Sequence, residues 1–151
     1  MVDVVDSETR HRMMSGIRHK DTKPELSIRQ NLHRLGFRFR LHERRLPGKP
    51  DLVLKRYRAV IFVNGCFWHR HECDLFKWPS TRVEFWQDKL NRNHENDLKN
   101  LNLLDSQGWR VCIVWECAVK GPNSRIDCVI KNIETWLRSL ETNVSFMEIA
   151  K

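Results

Sequence analysis

One run of fifteen residues narrows what this 151-residue chain can fold into. Ala59-Val60-Ile61-Phe62-Val63 is apolar and rich in β-branched side chains, the signature of a buried strand. Asn64-Gly65 then breaks the chain, because both residue types tolerate positive φ. Cys66-Phe67-Trp68-His69-Arg70-His71-Glu72-Cys73 follows at once, with two cysteines and two histidines within eight residues and two large aromatics among them. A buried strand that ends in a polar, metal-competent loop is how α/β proteins present a site.

Upstream lies Pro50-Asp51-Leu52-Val53-Leu54, a carboxylate at the head of a second apolar run. Pro-Asp, a short strand, a Tyr57-Arg58 turn and a second strand resemble the core of the PD-(D/E)XK nuclease superfamily. Where that superfamily carries Glu-x-Lys, this chain has Phe62-Val63-Asn64, which supplies neither a second carboxylate nor a lysine. That departure, together with Gly-Cys-Phe-Trp-His-x-His-x-Cys, resembles one branch, the very short patch repair (Vsr) DNA mismatch endonucleases. The resemblance runs from about Asp3 to about Leu140. It implies a restriction-endonuclease-type α/β core, three-layered, with a mixed central sheet flanked by helices and a zinc-bound loop.

Charge is unevenly spread. Residues 10–58 hold fifteen Lys and Arg against four Asp and Glu, a net of +11, which leaves −3 for the remainder of a chain whose total is +8. A polyanion partner on the face built by the first third is the physical reading. Five cysteines, an odd number, and no signal peptide point to a reduced, cytosolic compartment. No apolar run approaches the ~18 residues of a membrane span.

Residues 1–20 carry no helical or strand period. The segment around Arg12, Met14, Arg18 and Lys20 mixes cations with flexible apolar side chains, which fits either a frayed tail or an arm that folds onto DNA. Vsr-type enzymes use their N-terminal segment as such an arm, so the resemblance assigns residues 1–20 to DNA binding and 21–140 to the endonuclease domain; residues 141–151, beyond it, are expected to fray as a C-terminal tail.

Thr22-Lys23-Pro24-Glu25 predicts a capped helix start, with Ile28, Leu32 and Leu35 as its apolar stripe and Gly36 as its end. Phe37-Arg38-Phe39-Arg40-Leu41 alternates strictly and predicts a strand. Strands are expected over 51–54, 59–63 and 110–115. Helices are expected over 81–90, over 93–104 with Leu98, Leu101 and Leu104 inward, and from a Ser124 cap through Ile126, Ile130, Ile133, Leu137 and Leu140.

Cys66, His71 and Cys73 fit three of four tetrahedral ligands, with His69 a rival to His71; thiolates with imidazole select zinc over magnesium. The fourth must come from afar. Cys117 ends a strand, whereas Cys112 in mid-strand and Cys128 within a helix read as small core residues. The resemblance selects Cys66, His71, Cys73 and Cys117 and leaves His69 free. Such a closed set holds a structural ion.

Phosphodiester hydrolysis needs a cation on the phosphoryl oxygens and an activated water. Asp51 is the hard-oxygen ligand for Mg²⁺, and the Val63 carbonyl stands in for the missing second carboxylate. His69 is the candidate general base, and Asp97 on the 93–104 helix can orient it. Read alone, Asp51 is also a strand cap and Asp97 a solvated helical residue. Glu25 reads as a capping partner, and the resemblance adds an outer-shell role at the catalytic metal. Phe67, Trp68 and Trp86 form an aromatic group to which the family gives intercalation at a mismatch; Phe85 reads as core. Relatives commonly carry histidine where this chain has Asn64.

The resemblance thus implies a monomeric endonuclease of the bacterial cytoplasm and nucleoid, working beside other mismatch-repair proteins. It would nick double-stranded DNA 5′ of the thymine of T:G mismatches left by 5-methylcytosine deamination. The competing reading is a non-catalytic zinc DNA-binding module, which needs neither Asp51 nor His69. A thiol redox protein is disfavoured because no Cys-x-x-Cys is present.

Overall fold

A computed structural model describes residues 21–120, 125–139 and 145–151. Thr22 caps α1 (Lys23–Arg34) as its sequence predicts: Thr22 Oγ1 accepts from the Glu25 amide at 3.4 Å, and Pro24 sits where no amide is needed. Ile28 and Leu32 are fully buried, while Leu35, the helix C-cap, is exposed. Gly36, at φ +97°, turns the chain out of the helix.

Next come β1 (Arg40–Leu41), β2 (Leu52–Leu54), β3 (Ala59–Asn64), α2 (Val83–Ser106) and β4 (Arg110–Trp115). A single turn, α3 (Glu116–Val119), α4 (Ile126–Arg138) and β5 (Phe146–Ile149) complete the described elements. The strands lie in chain order, antiparallel from β1 to β3 and parallel from β3 to β5. This is the expected α/β architecture, a mixed central sheet flanked by helices.

Strand alternation sorts the core into two layers. Leu52, Leu54, Ala59, Ile61, Cys112 and Val114 point to one face, where they meet Ile28 and Leu32 of α1 and Ile130, Ile133 and Leu137 of α4. Val53, Val60, Val111, Ile113 and Trp115 point to the other, against Leu104 and Leu101 of α2, with Cys66 and Cys117 at its margin. At roughly 25 cal/mol per Å² of apolar surface, this double burial is the main stabilising contribution.

Several expectations are corrected. Helices 81–90 and 93–104 are one 24-residue helix, since Asn91-Arg92 contains neither glycine nor proline to break it. Only Arg40–Leu41 of the predicted 37–41 strand pairs, because the three-residue β2 offers no longer edge. Phe37 is buried and Arg38 exposed, as alternation requires, but Leu41 on the expected apolar face is 42% exposed. Residues 141–151 are not simply a fraying tail: Phe146–Ile149 pairs in parallel with Val111–Val114. Leu98 and Phe85 are exposed, at 51% and 41%, because α2 meets the sheet through Leu101 and Leu104. Cys128 is also exposed, whereas Cys112 is a core residue as expected. Ser124 and Leu140 lie outside the described residues.

Candidate active site and metal centre

The β2–β3 pairing fixes the first component. Leu52 pairs with Ile61, so Asp51, one residue earlier, lies beside the far end of β3, and its Oδ2 accepts from the Val63 amide at 2.7 Å. Gly48 makes the approach possible. It adopts φ +76°, and an added Cβ would lie 3.1 Å from the Phe62 ring. Burial pushes the Asp51 carboxyl up to about 7; the Val63 amide opposes the shift, and the nearby Glu25 carboxylate adds to it. A carboxylate so costly to ionise is one that a divalent cation relieves, so Asp51 fits a hard-cation ligand.

Glu25 is 1% exposed and sits in the first turn of α1, where its carboxylate is fully engaged. Its Oε1 accepts from the Asp21 amide at 3.2 Å, and its Oε2 accepts from Arg29 at 2.9 Å and lies 2.8 Å from His42 Nε2. Asp21, Glu25 and His42 are close enough to share a cation. Arg29, however, bridges both carboxylates and already supplies the positive charge. Neither Arg29 nor His42 was singled out by the sequence.

The loop after β3 brings the second component. His69 Nδ1 lies 2.6 Å from Asp97 Oδ2 on α2. The same helix clamps the loop twice more: Arg70 donates to Asn91 Oδ1 at 2.6 Å, and Asn93 Nδ2 donates to the Trp68 carbonyl at 3.1 Å. Asn91 and Asn93 were missed because asparagines on an exposed helix give no signal of a distant partner. Asp51, Val63, Asn64, His69 and Asp97 line one cavity of about 220 Å³ at the end of β3. Glu25 does not line it, but its carboxylate is near enough to Asp51 to raise the Asp51 pKa.

Beside this cavity, Cys66, His71, Cys73 and Cys117 bring their ligand atoms within 4.8 Å of one another. A zinc tetrahedron with ~2.3 Å bonds to sulfur spaces its ligands by roughly 3.8 Å, so the set fits the ion. Cys112 and Cys128 stand outside it, and His69 is engaged by Asp97 instead. Burial pushes the Cys66 thiol up, so an adjacent cation is needed to hold its thiolate. Burial also lowers the His71 pKa, which favours the neutral imidazole that binds metal. Glu116 Oε1 accepts from the Cys66 amide at 3.3 Å, and the His71 ring stacks on Trp115 at 4.1 Å with a 9° tilt.

Phe67, Trp68 and Trp86 form the expected aromatic group, with ring centroids 5.1, 5.5 and 6.1 Å apart, and Phe85 joins it from the exposed side. Lys89 Nζ lies 5.6 to 5.9 Å from the Trp68, Trp86 and Phe85 rings. Arg12, Met14, Arg18 and Lys20 lie outside the described residues.

Residues 2–75 match the family model described as DNA mismatch endonuclease Vsr. The chain is 44% identical over 138 residues to the DNA mismatch endonuclease Vsr of Escherichia coli (strain K12), covering 91% of this chain and 88% of that protein. It is 43% identical over 117 residues to the type II nicking enzyme V.XorIIP of Xanthomonas oryzae pv. oryzae, covering 78% of this chain and 86% of that one. A third relative, the type II nicking enzyme V.NmeAIP of Neisseria meningitidis serogroup A, is 37% identical over 137 residues, 89% of this chain and 98% of its own. By its core, its strand-end site and these similarities, the chain belongs to the Vsr family of DNA mismatch endonucleases.

Proposed function

We propose that this protein nicks one strand of duplex DNA 5′ of the thymine in T:G mismatches arising from 5-methylcytosine deamination, by Mg²⁺-dependent phosphodiester hydrolysis. The observation that carries the reading is the convergence of Asp51 and the His69–Asp97 pair on one cavity at the end of β3. A zinc DNA-binding module has no use for that convergence. The T:G preference rests on the family, whose Escherichia coli relative is named a mismatch endonuclease.

Asp51 and the Val63 carbonyl would hold Mg²⁺, which when bound supplies charge stabilisation to the phosphoryl oxygens and the leaving oxygen. Asp97 engages His69 Nδ1, which leaves Nε2 to take a proton from the attacking water as its oxygen bonds to phosphorus and the bridging P–O bond breaks. Glu25 keeps its carboxylate near Asp51 and favours cation binding there. Cys66, His71, Cys73 and Cys117 would hold a structural Zn²⁺ that fixes the loop carrying His69. Phe67, Trp68 and Trp86 would enter the opened base step, with Arg12, Met14, Arg18 and Lys20 closing on the DNA as an arm.

The enzyme acts as a monomer in the bacterial cytoplasm, at the nucleoid, in company with mismatch-repair proteins. Among the described residues no helix is long and apolar enough to cross a membrane. Incubating T:G-mismatched and fully paired duplexes with the protein, in Mg²⁺ or EDTA, and mapping the cut tests the proposal. A single Mg²⁺-dependent nick 5′ of the mismatched thymine is expected. Binding without any cleavage would support the zinc-module reading instead.

A further inference from the structure

Trp115 closes β4 and is 7% exposed, so its position is set by packing. Its indole faces two functional side chains at once. One is His71, stacked at 4.1 Å and nearly coplanar; the other is His69, whose ring centroid lies 6.2 Å away at 70°. Trp115 also leads directly into Glu116, which holds the Cys66 amide, and into Cys117. The only polar atom of the indole, Nε1, donates to Glu148 Oε1 on β5. That bond spans the sheet margin: Ile113 and Glu148 are register partners, two residues before Trp115. Trp115, Glu148, His71 and His69 all line one cavity of about 400 Å³, which Asp97 also lines.

A ring stacked on a ligand histidine fixes the plane of the imidazole but not the ring's own rotation. For a tryptophan at the end of a strand, a hydrogen bond at Nε1 removes that remaining freedom. Outer groups of this kind orient metal ligands and tune how firmly the ion is held. We propose that Glu148 and Trp115 are positioning residues: the C-terminal strand, through the Glu148–Trp115 bond, sets the His71 plane at the zinc centre and the His69 ring at the catalytic cavity together. Neither residue touches the reacting atoms. The proposal rests on the zinc and general-base readings given above, and it assigns β5 a task in the reaction.

The test uses the full zinc-loaded chain with Glu148→Ala, Glu148→Gln, Trp115→Phe and the double variant Trp115→Phe/Glu148→Ala. Zinc release is timed under a chromogenic chelator, and kcat and KM are measured on a T:G duplex. Glu148→Ala and Trp115→Phe should each speed zinc release about tenfold or more, the ordinary worth of an outer-shell partner, and lower kcat with KM unchanged. Glu148→Gln keeps an acceptor oxygen for the indole and should stay within about twofold of wild type on both readouts. The double variant should be no worse than Trp115→Phe alone, because that single change already removes the indole donor that Glu148 accepts from. A wild-type release rate in Glu148→Ala, or additive losses in the double variant, would overturn the proposal. Wild-type protein that purifies without zinc would instead sink the metal reading, and this proposal with it.

Discussion

His69 on the loop and Asp97 on α2 meet at 2.6 Å between Nδ1 and Oδ2, joining two elements 28 residues apart in the chain. A carboxylate on Nδ1 fixes the tautomer and aims Nε2 outward, toward the cavity that Asp51 also lines. His69→Ala should therefore slow single-turnover nicking by roughly 10²–10⁴, the usual worth of a general base. Its zinc content should match wild type, measured by metal analysis of the purified protein. Loss of zinc in that variant would make His69 a ligand and release His71.

Cys73→Ser should lose its zinc and become protease-sensitive, because an incomplete ligand set gives up folding energy, ~10 kcal/mol or more of apparent binding in small modules. Cys112→Ala, on the opposite face of the sheet, should keep its ion and cost only a packing increment of about 1 kcal/mol. Metal analysis and denaturant melts separate the two outcomes.

Much of this site is legible in the sequence because its parts sit at marked positions. Asp51 follows a proline, His69 and His71 sit within a Cys-to-Cys loop, and Cys117 follows a strand end. Ligands grouped in sequence report themselves through spacing. What escapes are partners whose role exists only after folding: Asn91 and Asn93 clamping the loop, and His42 and Arg29 satisfying Glu25. The strand β5 escapes for a different reason. Four residues are too few to show a period, and it earns its place by lying against the buried β4. The break expected within α2 fails because it marks a gap in apolar periodicity, where the helix merely turns a polar face to the loop.

If Asp51 holds the cation as proposed, cation binding should depend on pH. Its folded carboxyl is raised from 3.8 to about 7, mainly by burial, so the metal-free protein favours the protonated form. The stability this contributes is full below pH ~4 and is lost as pH rises through about 7. Mg²⁺ must displace that proton, so its apparent affinity should rise about tenfold per unit between pH 5 and 7 and level off above. Titration of Mg²⁺ by calorimetry across that range checks the slope. In EDTA at pH 8, Asp51→Asn should be more stable than wild type by roughly 1–3 kcal/mol, because it no longer buries a charge. A flat Mg²⁺ affinity with pH would remove Asp51 from the ligand set.

Trp68→Ala should narrow the preference for mismatched over paired duplex. Opening a base step costs a few kcal/mol, and less where pairing is already weak. An aromatic that fills the gap recovers roughly 1–3 kcal/mol per stacked base. The variant should lose affinity for the T:G duplex more than for the paired one, with a nearly unchanged salt slope, since Lys and Arg contacts set that slope. Equal losses on both duplexes would confine Trp68 to packing against Phe67 and Trp86.

Asp51 is proposed to serve the chemistry rather than the fold or the grip on DNA. Single-turnover cleavage of a T:G duplex by Asp51→Ala, measured beside its binding to the same duplex, tests this directly. Nicking should fall below a few per cent of wild type while binding stays close to it. Nicking at more than that level would contradict the account, as would a loss of binding that matches the loss of cleavage.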